Sequence, residues 1–303
     1  MRRGDPVAHA NVRNGIASAL LLLAMTFCLP RFALGQHVDV PYVPTPWPVV
    51  EAMLKLANVG PADYVIDLGS GDGRILIMAA KKYGARGFGV DLDSGLVYTA
   101  RREAERQGVR EKVEFETRNL FITDISRATV LTTYLFTSVN MQLRPRIFDE
   151  LKPGARVVSH EFDFGNWKPD AQLTVPVPDK PYGPPSSVVY LWIVPANAAG
   201  RWQWTQGAGA ERVEHELALE QTFQELRGSA RVAGQTARLE SVTLRGEDIR
   251  VAFSAMRNGR SERVELAGRV AGDRIEGTMR VAGTPDSMPW QARRVAAGKI
   301  AYF

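Results

Sequence analysis

Residues 67–74 read Asp-Leu-Gly-Ser-Gly-Asp-Gly-Arg. An acid is followed by three alternating glycines. Tyr64, Val65 and Ile66 lead in with a strand pattern, and Ile75, Leu76, Met78 and Ala79 lead out with a helical one. Glycine lets the backbone turn sharply and lets a ligand come close, because no Cβ intervenes. The helix that follows turns the positive end of its dipole toward any carboxylate or phosphate held there. A second acid, Asp91, closes the apolar run Gly87-Phe-Gly-Val about two dozen residues on, near the offset of roughly 20 at which a carboxylate grips ribose hydroxyls. The plainer reading of this Asp is a loop carboxylate near a helix start, with Ser94 as the cap. A dinucleotide fingerprint would need a third glycine where Arg74 stands, and the Gly-Lys-Ser/Thr of a Walker loop is absent.

Alternating elements must carry these groups. Strands are expected near 64–69, 86–91, 112–118, 129–136, 155–163, 171–177 and 187–194, and helices near 73–83, 94–107 and 143–151. Such alternation predicts a mostly parallel α/β sheet covered on both faces, with ligands at the carboxyl ends of its strands. Before it, residues 36–60 form a proline-rich lead-in (Pro41, Pro44, Pro46, Pro48) and a helix that buries Val49, Val50, Met53, Leu54 and Ala57. Residues 61–196 carry the alternating pattern. Residues 200–303 lose it and read as short strands between Gly-Asx turns, with period-two pairs such as Val251/Phe253 and Val264/Leu266. That pattern predicts a C-terminal all-β antiparallel meander or small open barrel, its ends closed by Trp202, Trp204 and Trp290. His215 is expected to be structural.

The 303-residue chain is 45% hydrophobic, enough for two cores. Its net charge of +5 is dispersed and forms no long basic run, so no nucleic-acid partner is expected. Residues 1–35 read as a bacterial signal peptide or membrane anchor. Arg2, Arg3 and Arg13 precede an apolar run from Ile16 to Leu29, and small residues allow cleavage before Gln36. The expected location is exported or membrane-anchored in the envelope, with a cytoplasm-facing anchor as the second topology. The only cysteine, Cys28, lies inside that run. The mature chain would have no thiol, and no metal cluster is expected.

The Gly loop with its following acid resembles the cofactor loop of class I methyltransferases, which bind S-adenosylmethionine (SAM) and share a seven-stranded Rossmann-like sheet. Pro41-Tyr-Val-Pro-Thr-Pro46 and His160-Glu-Phe-Asp-Phe-Gly-Asn-Trp-Lys-Pro-Asp170 narrow the resemblance. Together with the loop, over about residues 40–195, they look like bacterial relatives of the mitochondrial lysine methyltransferases that modify the ATP synthase c-subunit and the adenine nucleotide translocase. The resemblance implies that Tyr42 to Thr45 fold over the cofactor and that Asp67, Gly69, Gly71, Asp72, Arg74, Asp91, Leu92, Asn119 and Leu120 bind it. Asn119 departs from the Asp usual at the adenine position. Phe136-Thr-Ser-Val-Asn140 lacks a proline common there, which leaves the acceptor more open than the cofactor.

Only a neutral lysine amine attacks a methyl group, so the acceptor pocket must desolvate it. Tyr134, Phe136, Phe162, Phe164 and Trp167 are candidates for the walls, with Phe162 or Phe164 expected in the core. Glu161 or Asp163 could receive the proton. The catalytic set is thus expected to include Tyr134, Glu161 and Trp167, acting on a protein lysine, with a membrane-associated acceptor as one form of that partner. Two other readings stand: a small-molecule methyltransferase, and a non-catalytic exported module in which the β domain does the binding.

Overall fold

The computed structural model describes residues 42–181, 183–207, 212–257, 259–284 and 286–302. The signal-like segment, Cys28 and Pro41 lie outside the described residues. Helix α1 (Trp47–Leu56) starts after Pro46 with Pro48 in its first turn, where a missing N–H costs nothing. It buries Val49, Val50, Met53 and Leu54.

The first sheet contains β1 (Tyr64–Leu68), β2 (Arg86–Asp91), β3 (Val113–Thr117), β4 (Val130–Thr133), β5 (Arg156–His160), β6 (Ala171–Pro176) and β7 (Ser186–Ile193). Helices α2 (Arg74–Tyr83), α3 (Ser94–Arg106) and α4 (Thr137–Glu150) connect strands within it. The order is β3-β2-β1-β4-β5-β7-β6, with β7 antiparallel to both of its neighbours and the β1, β2, β3, β4 and β5 pairings parallel. This is the Rossmann-like class I methyltransferase sheet. The chain reverses direction across the sheet between β1 and β4, and the carboxyl ends beside that point form the crevice where α/β folds bind ligands.

Three boundaries differ from the sequence reading. β4 stops at Thr133 and α4 begins at Thr137, so Tyr134-Leu-Phe136 is a short connector and not strand. β5 stops at His160 because Glu161 takes a φ of 64°, which breaks the extended backbone. Asp93, not Ser94, caps α3, its Oδ1 accepting from the N–H groups of Gly95 (2.7 Å) and Leu96 (3.2 Å).

The second sheet contains β8 (Gly200–Gln206), β9 (Val213–Thr222), β10 (Glu225–Val232), β11 (Gln235–Arg245), β12 (Asp248–Arg257), β13 (Arg260–Ala271), β14 (Arg274–Val281) and β15 (Ser287–Ala297). Each pairs antiparallel with the next, and β15 pairs back with β8, so the barrel is closed and not open. A short β16 (Ile300–Ala301) adds parallel to β9. Eight strands leave an interior just wide enough for side chains. Trp202, Trp204, Leu217, Phe253, Ile275 and Trp290 are buried in its core. The tryptophans therefore belong to the filling and do not merely close the ends. His215 is buried and stacks on Trp204, with centroids 4.9 Å apart.

The two sheets share an aromatic junction. Trp167 stacks with Phe223, and Phe148 with Tyr302 at 4.1 Å. Trp167 Nε1 donates to Gln224 Oε1 (2.9 Å), and Arg144 Nη2 donates to the Tyr302 carbonyl (3.0 Å). Burial lowers the pKa of the Arg144 guanidinium.

Candidate functional site

Asp67, at the end of β1, is buried, and its Oδ1 accepts from Thr132 Oγ1 (2.7 Å) on neighbouring β4. Its Oδ2 is buried with no hydrogen-bond partner. Burial pushes this carboxyl up to about 7; the Thr132 bond opposes the rise, and the charges of Asp91 and Asp72 add to it. Ser70 Oγ and Thr133 Oγ1 are likewise buried without partners at the ends of the same two strands. A buried polar atom without a partner is costly, so this edge of the sheet is incomplete as a hydrogen-bonding surface.

The glycines open the space next to these atoms. Gly69, Gly71 and Gly73 all have left-handed φ values. A Cβ on Gly71 would come within 2.6 Å of the Tyr42 ring, and one on Gly73 within 2.7 Å of Phe115. Gly73 thus packs α2 and its loop onto the sheet, whereas Gly71 lets the lead-in strap lie directly on the loop. Gly69 faces Leu135, which sits in the connector after β4.

Asp91 stands beside the loop. Its Oδ2 accepts from the Gly71 N–H (2.9 Å) and its Oδ1 from the Asp93 N–H (3.0 Å). Each oxygen keeps a further lone pair for a sugar hydroxyl. Leu92 stays 55% exposed beside it, and Leu120 lies half-buried in a 3-10 turn (Leu120–Ile122) whose Ile122 is exposed. Asn119 caps that turn, its Oδ1 accepting from the Phe121 N–H (2.8 Å). The oxygen assigned to an adenine amine from sequence is therefore already occupied once.

Asp72 and Arg74 are bonded to each other and to the strap. Arg74 Nη2 pairs with Asp72 Oδ2 (2.6 Å) and its Nε with Asp72 Oδ1 (2.9 Å), while Nη1 donates to the Thr45 carbonyl (2.8 Å). Burial acts to raise the Asp72 carboxyl, but the Arg74 hydrogen bonds and charge outweigh it and hold the group below its ordinary value. Arg74 also lies over the Trp47 ring, 5.0 Å from its centroid. Tyr42 hydrogen-bonds the pair, and burial with the Asp72 charge pushes its phenol up to about 12. The motif's last two charged residues thus strap residues 42–47 over its first glycines.

An aromatic wall follows the ends of β4 and β5. Tyr134 stacks on His160, with centroids 3.9 Å apart, and Phe162 packs edge-on against Phe136 at 5.2 Å. Phe164 is in the core and Phe162 only partly so. Trp167 does not belong to this wall. It is fully buried among Phe164, Trp192 and Phe223, because the chain turns at Gly165 and carries it under the barrel. Glu161 is paired with Lys180 from the β6–β7 hairpin. Burial would raise its pKa, but hydrogen bonds from Lys180 and Ser187 and the lysine charge leave it lowered. Asp163 Oδ1 accepts from Thr137 Oγ1 (3.2 Å) and from the Gly165 N–H (3.1 Å).

Sequence spacing missed Thr132, His160, Lys180 and Ser187. His160 stood within a quoted motif, yet nothing in one dimension pairs it with Thr45. No group of three or more potential metal ligands occurs among the described residues.

Three comparisons bear on this site. Residues 67–171 match a family model described as the ANTKMT methyltransferase domain. A protein-lysine N-methyltransferase from Saccharolobus islandicus is 44% identical over 156 residues, which are 51% of this chain and 94% of that protein. The lysine N-methyltransferase of the ATP synthase c-subunit from Xenopus laevis is 34% identical over 159 residues, 52% of this chain and 68% of that one. A solved Salinibacter ruber protein, described as an RNA methyltransferase in complex with S-adenosyl-L-homocysteine, is 50% identical. The match covers 50% of this chain and 93% of that one, with a TM-score of 0.45. The unpartnered Asp67 Oδ2, Ser70 Oγ and Thr133 Oγ1 at the ends of β1 and β4 fit a polar ligand such as SAM, the cofactor of this family. On sequence and fold together, the chain belongs to the family of SAM-dependent methyltransferases that contains these protein-lysine N-methyltransferases.

Proposed function

We propose that this protein transfers a methyl group from SAM to the ε-amine of a protein lysine. The observation that carries the reading is the connector Tyr134-Leu135-Phe136. Leu135 lies against Gly69 of the cofactor loop, while the aromatic side chains on either side of it join His160 and Phe162. A partly exposed aromatic wall thus begins where the loop ends. When bound, SAM supplies an electrophilic methyl on a sulfonium for in-line displacement. The loop at Gly69 and Gly71 would hold it, with Asp67 beneath and Asp91 on the ribose.

The chain's own work is to align the amine and remove its water. Neutralising a lysine at pH 7 costs about 4.6 kcal/mol in water. Desolvation against Tyr134, Phe136 and Phe162 favours the uncharged amine and reduces that cost. The same ring faces attract the cation before it loses its proton. Glu161 is tied up by Lys180, so Asp163, with its second carboxylate oxygen, is the better candidate to take the proton through water. The relatives named as methyltransferases of protein lysine and of the ATP synthase c-subunit support a protein acceptor.

The apolar run Ile16–Leu29 further supports attachment to a membrane or export across one, with a membrane-associated acceptor. Labelled SAM incubated with the full chain and membrane fractions tests both points. The expected result is label on lysine, located by mass spectrometry. Label on RNA, on a small molecule, or on nothing would reject the reading. Recovery of the uncleaved chain in the soluble cytoplasmic fraction of its cell of origin would reject both attachment and export.

A further inference from the structure

His160 sits where the strap, the acceptor wall and the sheet meet. Its ring is fully buried at the end of β5. Nδ1 lies 3.2 Å from Thr45 Oγ1 on the strap, and Nε2 lies 3.0 Å from Ser187 Oγ on β7. Hydroxyls can donate or accept, so either neutral tautomer satisfies both contacts. One face of the imidazole carries the Tyr134 ring at 3.9 Å. The same strap residue is held separately at its backbone, by Arg74 on the Thr45 carbonyl. Thr45 is therefore pinned twice. Its carbonyl is held by the cofactor loop, and its hydroxyl by a residue that also supports the acceptor wall.

We propose that His160 is a positioning residue that couples closure of the Tyr42–Trp47 strap over the cofactor to the setting of Tyr134 in the acceptor wall. With Thr45 in place, the imidazole is fixed between two hydroxyls and Tyr134 has a rigid support. When the strap lifts, one of the two restraints is lost and the ring can tilt. Order at the cofactor side is thereby transmitted to the acceptor side through one side chain. The second half of this claim rests on the lysine reading above; the first half does not.

The test is a double-mutant cycle on the full chain with Thr45→Val and His160→Ala, each read three ways. Calorimetry with S-adenosylhomocysteine reports the strap, and amide exchange at Val43, Thr45 and Trp47 reports its closure. KM and kcat toward a lysine-containing acceptor report the wall. Each single change is expected to weaken S-adenosylhomocysteine binding about tenfold, the worth of one buried hydrogen bond, and to speed exchange in the strap. Together they should weaken it no further, because both remove the same link. Thr45→Val should raise the acceptor KM several-fold with His160 present and leave it unchanged in the His160→Ala background. His160→Asn, which keeps a donor and an acceptor, should recover most of the binding. Should His160→Ala not fold, Thr45→Val and His160→Asn still carry the binding and exchange arms. Additive effects, or binding indifferent to Thr45→Val, would overturn the proposal. If binding and exchange respond as expected but no lysine is methylated, the strap clamp stands and the acceptor reading fails.

Discussion

The two sheets of this chain treat buried polarity differently. In the first, polar atoms without partners and left-handed glycines gather at the carboxyl ends of β1 and β4, beside Asp67, Ser70, Gly69 and Gly71. In the second, Trp204 Nε1 and Trp290 Nε1 are also buried without partners, but inside an interior filled by side chains such as Trp202 and Phe253, and outward charges pair across strands, as Arg280 does with Glu265 and Arg263 with Glu240. Packing density and pairing stabilise a scaffold. Open polarity beside a bare backbone is tolerated where a ligand completes it. The difference marks the carboxyl ends of β1 and β4 as the place the fold leaves open to a ligand.

Trp167 gives the largest expected effect, because it tests where one region ends and the other begins. Trp167→Ala should destabilise the protein by about 3–5 kcal/mol in denaturant unfolding, by opening a cavity among Phe164, Trp192 and Phe223. Near-normal stability with a raised acceptor KM would return this residue to the substrate wall. Gly71→Arg should reduce S-adenosylhomocysteine binding more than 100-fold, roughly 2.7 kcal/mol or more. It places a side chain against the Tyr42 ring at a φ of 52°. Calorimetry checks it, and retained binding would show that the strap is not seated as described.

Asp67 sharpens the contrast through pH. Its folded carboxyl is raised to about 7 from an ordinary value near 3.8. Stability linked to the protonated form is complete below the ordinary value and lost as pH rises through about 7. The ligand-free protein should therefore lose stability across that window relative to an Asp67→Asn variant, in paired thermal unfolding series. Asp72 and Glu161, which are lowered, act in the opposite sense at lower pH. A flat difference curve would contradict the burial argument.

Phe162→Ala removes an edge-to-face partner of Phe136. It should raise the acceptor KM about two- to tenfold, with S-adenosylhomocysteine binding unchanged. Lys168→Ala should do least. The Lys168–Glu225 pair crosses the junction at 2.6 Å but is exposed, so unfolding should shift by less than about 0.5 kcal/mol. A larger shift would mean that charge, and not the aromatic stack, holds the two sheets together.

Much of this was legible in one dimension. Strand, glycines and helix in a row must form a turn at a sheet edge, whatever the rest of the chain does, so the loop and Asp91 could be placed from local pattern. The change of period after residue 196 likewise separated the two sheets. Trp167 was misread because an aromatic after a strand end looks the same in sequence whether it faces a cleft or a neighbouring barrel. The spacing of Asp72 and Arg74 could not show that they bond each other and the strap.

What the amino-acid sequence determined by itself was the backbone chemistry: a Cβ-free turn, an acid before it, an acid after it, and a preference for strand or helix along each segment. These depend on neighbours a few residues apart. Only the tertiary structure decided which distant side chains meet, such as Thr45, His160 and Ser187, or Arg144 and the Tyr302 carbonyl. Hydrogen bonds and ring contacts act over a few ångströms in space, and sequence separation carries no record of that distance until the chain has folded.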